Sequence, residues 1–228
     1  MKDSLLVLIC GKYLWEKSLM AGPTRRPSEW IDGFLFVGNH LALDFLNTKP
    51  ILDGAPRELL SDVAALERWL IASGVVSSRR DKAMVRAWRD SPRAAAFVPK
   101  LIAFRERLRA VVSRVENGSP PSNSFLAEVN RLLKAHPQRA HLTREGSGVA
   151  LSVSHELRRP EDVWAPIVAA VTHLLSEIEP VRIRKCESEA CVVHFHDTSK
   201  KGSRRWCSMN ICGNRLKVAA YQRRRRLA

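Results

Sequence analysis

The chain has 228 residues, of which 45% are hydrophobic and 27% charged. That length suits one or two domains, and the composition excludes a wholly disordered, collagen-like or multi-span membrane chain. Lys and Arg outnumber Asp and Glu by 38 to 23, a net charge of +15, which points to a polyanionic partner rather than to any fold.

Residues 1–33 are weakly patterned. Pro23 and Pro27, with Arg25 and Arg26, read as a flexible lead-in. Ser4 to Cys10 is apolar, but too short to span a bilayer, and Lys2 is offset by Asp3. The protein is therefore expected to be cytoplasmic, with reduced thiols. Cys10 reads as a free thiol.

Residues 34–180 are expected to form a helical domain. Phe34 to Leu46 reads as a short strand leading into a helix. Ser61 to Ala72 carries Val63, Leu66 and Leu70 on one face, with Gly74 as a stop. Ser78 to about Trp88 is a second helix. Pro99 suits the first turn of a third. Leu101, Phe104, Leu108, Val111, Val112 and Val115 follow at helical spacing. Asn117 to Asn123 is a loop, and Phe125, Val129, Leu132 and Leu133 define a fourth helix. Ala140–Thr143 and Val149–Val153 flank a Gly-rich turn and read as a β-hairpin. Glu161 to Ile178 is again helical, its regular part starting late or kinked because of Pro166. Trp69, Trp88 and Trp164 are expected in the core.

No Gly-rich phosphate loop, nucleophile elbow or zinc-protease motif occurs, so no catalytic residue is assigned. Asn39, His40 and Asp44 are the candidate ligand-binding group, and a deep polar pocket there would suit an enzyme that carries the finger as an accessory. A local surface pair between His40 and Asp44 is the simpler reading.

Residues 181–228 hold thirteen basic and three acidic residues, whereas the first 180 hold 25 and 20. Four of the five cysteines share this segment. Cys186, Cys191, Cys207 and Cys212 form two pairs, each with four intervening residues, separated by fifteen. In reducing surroundings this pattern reads as a structural Cys₄ site for one Zn²⁺, with no position left for catalytic water. Residues five apart on a regular helix point about 140° away from each other. Each pair must therefore sit on a turn, or where a turn enters a helix. Ser208 can cap a helix running from Met209 to about Arg225. Val181–Arg184 and Val192–His196 read as strands around the first pair, and Asp197–Ser203 as an exposed turn. The order is treble-clef-like. His194 and His196 are expected to be surface or supporting residues rather than ligands. The whole is mainly α with a small β-hairpin, an α+β chain.

Cys207-Ser208-Met209-Asn210-Ile211-Cys212-Gly213-Asn214-Arg215, followed by Lys217, resembles the CGNR zinc finger, with Asp197–Ser199 and Arg204–Trp206 supporting the match. Phe36 to Thr48 resembles the opening of the ABATE domain, which precedes this finger in bacterial proteins classed as stress-induced transcription regulators. The resemblance implies a DNA-binding regulator whose N-terminal domain senses a small-molecule effector or dimerises. An RNA-binding or ribosome-associated zinc protein is the alternative. The candidate nucleic-acid residues are Lys200, Lys201, Arg204, Arg205, Asn214, Arg215, Lys217, Arg223, Arg224, Arg225 and Arg226. The four terminal arginines suit a backbone clamp, and Asn214 suits adenine or a brace of the zinc turn. Trp206 is expected to shield the sulfurs. Duplex DNA, and in solution a homodimer, are the expected partners.

Overall fold

A computed structural model describes residues 29–146 and 148–214. Cys10, Arg215, Lys217 and Arg223 to Arg226 lie outside the described residues, as does most of the helix expected from Met209 to Arg225.

Two small hairpins open the described chain. β1 (Trp30–Ile31) pairs with β2 (Phe34–Leu35), and β3 (Ile51–Leu52) pairs with β4 (Ala55–Pro56). Their turns are Asp32-Gly33 and Asp53-Gly54, and all four residues have φ between 50° and 81°. Left-handed values at both central positions match the twist of tight hairpins, and Asp-Gly is the residue pair that adopts them most readily. Residues 29–33 therefore belong to an ordered hairpin, not to the flexible lead-in that the sequence suggests.

Helices form most of the body: α1 (Leu41–Leu46), α2 (Val63–Ala72), α3 (Arg79–Trp88), α4 (Pro92–Glu116), α5 (Asn123–Ala135) and α6 (Trp164–Ser176). Their starts follow from local chemistry. Asp62, Ser78, Ser91 and Ser122 each accept a backbone N–H of the first turn, satisfying donors that have no helical partner. Helix α4 begins at Pro92, so Pro99 lies inside it and not in its first turn. Pro99 removes the N–H that Ala95 carbonyl would accept. Both residues are exposed, so water can satisfy that carbonyl and the helix continues.

The 25-residue α4 is the central post. It packs against α1 and α2, and α6 packs against α1 and α5. Phe104 sits edge-on to Trp164 at 5.1 Å and stacks on Phe125 at 5.6 Å. Trp69, Trp88 and Trp164 are all buried, as expected. β5 (Arg139–Glu145) and β6 (Gly148–Ser154) form the expected hairpin, in full register from Arg139↔Ser154 to Glu145↔Gly148. Beyond α6, β7 (Ile183–Lys185) pairs with β8 (His194–His196), and Met209–Gly213 forms a single wide helical turn.

A cysteine centre docked on the helical body

The first cysteine pair lies in the β7–β8 hairpin. Cys186 N–H donates to Val193 carbonyl at 2.9 Å, and Cys191 N–H to Ser188 carbonyl at 2.9 Å, so the turn is closed from both ends. The second pair flanks the Ser208 cap. Ser208 Oγ accepts from the N–H groups of Asn210 and Ile211 at 3.0 and 3.1 Å. The wide turn then returns Cys212 and Gly213 N–H to Ser208 carbonyl. It brings Cys212 back to within 3.6 Å of Cys207, sulfur to sulfur. A Cβ at Gly213 would lie 2.7 Å from Met209 Sδ and 3.4 Å from the Trp206 ring, so a side chain there would have to push the Met209 side chain aside.

All four ligand sulfurs lie within 4.8 Å of one another and all four residues are buried. Tetrahedral Zn²⁺ with bonds of about 2.3 Å needs sulfurs about 3.8 Å apart. The Cys191–Cys207 separation is 3.9 Å. Crowding couples the four thiols. Hydrogen bonds from the Cys191 and Cys207 thiols and from the Cys207 and Ser188 backbones hold Cys186 below the ordinary thiol range. Donating to Cys186, together with burial, pushes both Cys191 and Cys207 upward. A divalent ion would let all of the thiols ionise together. The donor set fits one structural Zn²⁺ with a closed shell.

His194 and His196 are not ligands: among the described residues the metal-competent cluster consists of the four cysteines. Nor are they surface residues, since both are buried. Asp197 is also fully buried, contrary to its place in an expected exposed turn. Its carboxylate accepts from Ser199 N–H at 2.9 Å and Arg204 N–H at 2.8 Å, and so pins both ends of the Lys200–Lys201 loop. Burial opposes ionisation, but these bonds prevail and hold its carboxyl below the ordinary range. Lys200, Lys201 and Asn214 are exposed. Arg205 is exposed and pairs with Glu187 at 2.6 Å. Arg204 is turned inward. It donates to the carbonyls of Trp206, at 2.9 Å, and Cys207, and lies 4.4 Å from the centre of the Phe195 ring. Trp206 packs against the cysteine cluster, the shielding position.

The finger is fastened to the body by groups spread along the chain. His196 N–H donates to Gly38 carbonyl at 2.8 Å, and Asn39 Nδ2 donates to His196 carbonyl at 3.0 Å. Asn47 serves the backbone of His194 in the same way. The outer edge of β8 is thus closed by the body. Glu116 accepts Lys185 N–H at 2.8 Å and lies 3.4 Å from His194 Nε2. Leu35 of the first hairpin and Val37 just beyond it pack into the cysteine cluster, and Ser208 Oγ donates to Glu29.

The candidate ligand residues are part of this fastening. Asn39, left-handed at φ 53°, holds His196. His40 caps α1: its Nδ1 accepts Ala42 N–H at 3.2 Å, and its Nε2 lies 3.0 Å from His173 Nδ1. Asp44 accepts Gly38 N–H at 2.8 Å. A Cβ at Gly38 would lie 2.9 Å from Asp44 N and Leu43 Cβ, so glycine is required for that approach. The partners of Asn39 and His40 come from 157 and 133 residues away, beyond the reach of local pattern.

No curated protein matches the chain. The family model described as "Putative stress-induced transcription regulator", ABATE, matches residues 39–178, and the model of the CGNR zinc finger matches residues 182–225. The chain belongs to the ABATE family and carries a CGNR zinc finger behind its helical domain.

Proposed function

We propose that this protein is a DNA-binding transcriptional regulator of the cytoplasm, with the zinc finger as its duplex-binding part and the helical body as its effector-sensing or dimerising part. One observation carries the reading. The buried carboxylate of Asp197 and the four cysteines fix a loop that displays Lys200 and Lys201, and the same metal-held turn leads, through the exposed Asn214, into the segment containing Arg215, Lys217 and Arg223 to Arg226. Fixed cations displace counterions from phosphates without a further ordering cost. Arg204 acts in this scheme as a brace of the cysteine loop rather than a phosphate contact, and Arg205 is shared with Glu187. The reading is of a binding protein and not an enzyme, supported by the internal engagement of Asn39, His40 and Asp44.

Fluorescence anisotropy with zinc-loaded protein tests it. Upstream intergenic duplex should bind more tightly than random duplex, binding should weaken as salt rises, and chelation should abolish it. Equal affinity for random duplex would remove sequence specificity. Structured RNA that displaces the duplex at matched salt would replace this reading with the RNA-binding one.

A further inference from the structure

Helix α3 concentrates the positive charge of the body. Residues 29–180 hold 20 basic and 18 acidic side chains, and the stretch from Arg79 to Arg93 holds six of the basic ones and two of the acidic ones. The rest of the body is therefore slightly acidic. Val85 and Trp88 turn inward and are buried, whereas Arg79, Ala83, Arg86 and Ala87 are exposed. Arg79 and Arg86 are two helical turns apart and so share the outward side. Neither has an ion-pair partner among the described residues. The neighbouring cations are engaged at the edges: Arg80 with Glu156, Arg89 with Glu67, and Arg93 with Glu161. Asp81 is turned back to the helix start, where its carboxylate accepts Ser78 N–H at 3.1 Å. Helix stability does not account for Arg79. It holds the first position of α3, where the positive end of the helix dipole disfavours a cation. Nor does solubility, in a chain of net charge +15.

We propose that the outward face of α3 is a second phosphate-binding surface, and that it meets the same duplex as the finger one helical turn away. The inference rests on the DNA-binding reading above and adds to it a contact made by the body. Guanidinium groups take phosphate oxygens bidentately, and the exposed alanines beside Arg79 and Arg86 let a sugar–phosphate strand approach the helix closely. The face carries no aromatic or long aliphatic side chain, so it has nothing to insert into a bilayer. The spacing follows from α4. Its start joins α3 through the Ser91 cap, and its last residue, Glu116, accepts Lys185 N–H of the finger at 2.8 Å. The 25 residues of α4 span about 37 Å. One turn of duplex DNA is about 34–36 Å. The same side of a duplex returns after each turn, so cationic surfaces at the two ends of α4 match two successive turns of one duplex.

Salt titration of the full zinc-loaded chain on duplexes of two lengths tests the proposal. On a duplex of about 20 base pairs, two turns, the variant Arg79→Ala/Arg86→Ala should flatten the slope of log affinity against log salt by about 1.8, the share of two phosphates. Its melting temperature should match the wild type, since both side chains are exposed. On a duplex of about ten base pairs, one turn, only the finger can engage, and the two proteins should have equal slopes. Arg131→Ala/Lys134→Ala removes the same charge from exposed positions of α5 and should keep the wild-type slope on both. The proposal is overturned if the α3 variant keeps the wild-type slope on the long duplex, if it loses as much on the short one, or if the α5 variant loses as much. It is also overturned if the α3 variant keeps its duplex slope but loses binding to vesicles of anionic lipid, which would assign the face to a membrane. A wild type that binds neither duplex overturns the DNA-binding reading itself, whereas wild-type binding with an unaltered α3 variant overturns this surface alone.

Discussion

Asn47 grips the backbone of His194 with both ends of its amide: Nδ2 donates to His194 carbonyl at 2.8 Å, and Oδ1 accepts His194 N–H at 3.0 Å. Asn47 terminates α1 in the body, whereas His194 opens β8 in the finger. Both are buried. Water cannot replace the amide there, so its removal leaves two backbone groups unsatisfied at about 1–3 kcal/mol each. Asn47→Leu, similar in volume, should therefore destabilise the protein by about 2–6 kcal/mol. It should also accelerate zinc release to a chelator. An unchanged denaturation midpoint would show that the finger does not depend on this grip.

The metal centre was legible in the sequence because its chemistry is local and redundant. Two identical cysteine spacings and the Ser208 cap define the ligand turns without knowledge of anything else in the fold. The docking of that centre was not legible. Asn39, His40 and Asp44 look like a pocket fragment when read along the chain, since their partners at His196 and His173 are remote. The Asp32-Gly33 hairpin carried a usable signal, a tight-turn pair followed by apolar residues, which the neighbouring prolines obscured. Pro99 misled for a different reason. Proline is common at helix starts, but an exposed mid-helix position also tolerates it, because solvent reaches the freed carbonyl. Asp197 sits among polar residues, and only its two accepted N–H bonds reveal a buried anchor.

Histidine protonation should weaken the same junction in mild acid. His40 Nδ1 already accepts Ala42 N–H, so the ring proton must sit on Nε2, pointing toward His173. A second proton on Nδ1 would break the helix cap. Burial, then the neighbouring His173 and His196, hold His40 at about 3, and burial holds His155 at about 4. Both values lie below the ordinary histidine value of about 6.5. In the unfolded chain these rings take up protons near that value, whereas in the folded chain they do not. Their contribution to stability is complete above about pH 6.5 and is lost as pH falls toward 4 to 3. The melting temperature should decline over that interval. His40→Asn preserves a capping side chain, removes one titrating ring and should flatten the decline. A wild-type profile that is level from pH 7 to 4 would contradict the assignment.

Metal removal should reach beyond the finger. Leu35 and Val37 pack into the cysteine cluster, and Glu29 bonds to Ser208. Chelation should therefore raise amide exchange in residues 29–37 as well as in 183–214, while the core of α4 and α6 stays protected. Structural zinc sites supply much of their own folding energy, so Cys207→Ser should reproduce the chelated pattern even with zinc in excess. Exchange confined to the finger would mean that the first hairpin is held by the body alone.

Lys200, Lys201 and Arg204 lie within five residues of one another, yet the structure predicts two different phenotypes for them. The lysines are exposed on the loop that Asp197 pins, whereas the Arg204 guanidinium is spent on the carbonyls of Trp206 and Cys207. If the loop meets phosphates, each lysine removed should lower the slope of log affinity against log salt by about 0.9. The double variant Lys200→Ala/Lys201→Ala should then lose close to two units of slope at an unchanged melting temperature. Arg204→Ala should instead lower the melting temperature and hasten zinc loss, because two carbonyls beside the ligand Cys207 lose their donor. Its effect on duplex binding should track the loss of metal and disappear once zinc is restored. A slope that survives the double lysine substitution would move the phosphate contacts away from this loop and onto the arginines that follow Asn214.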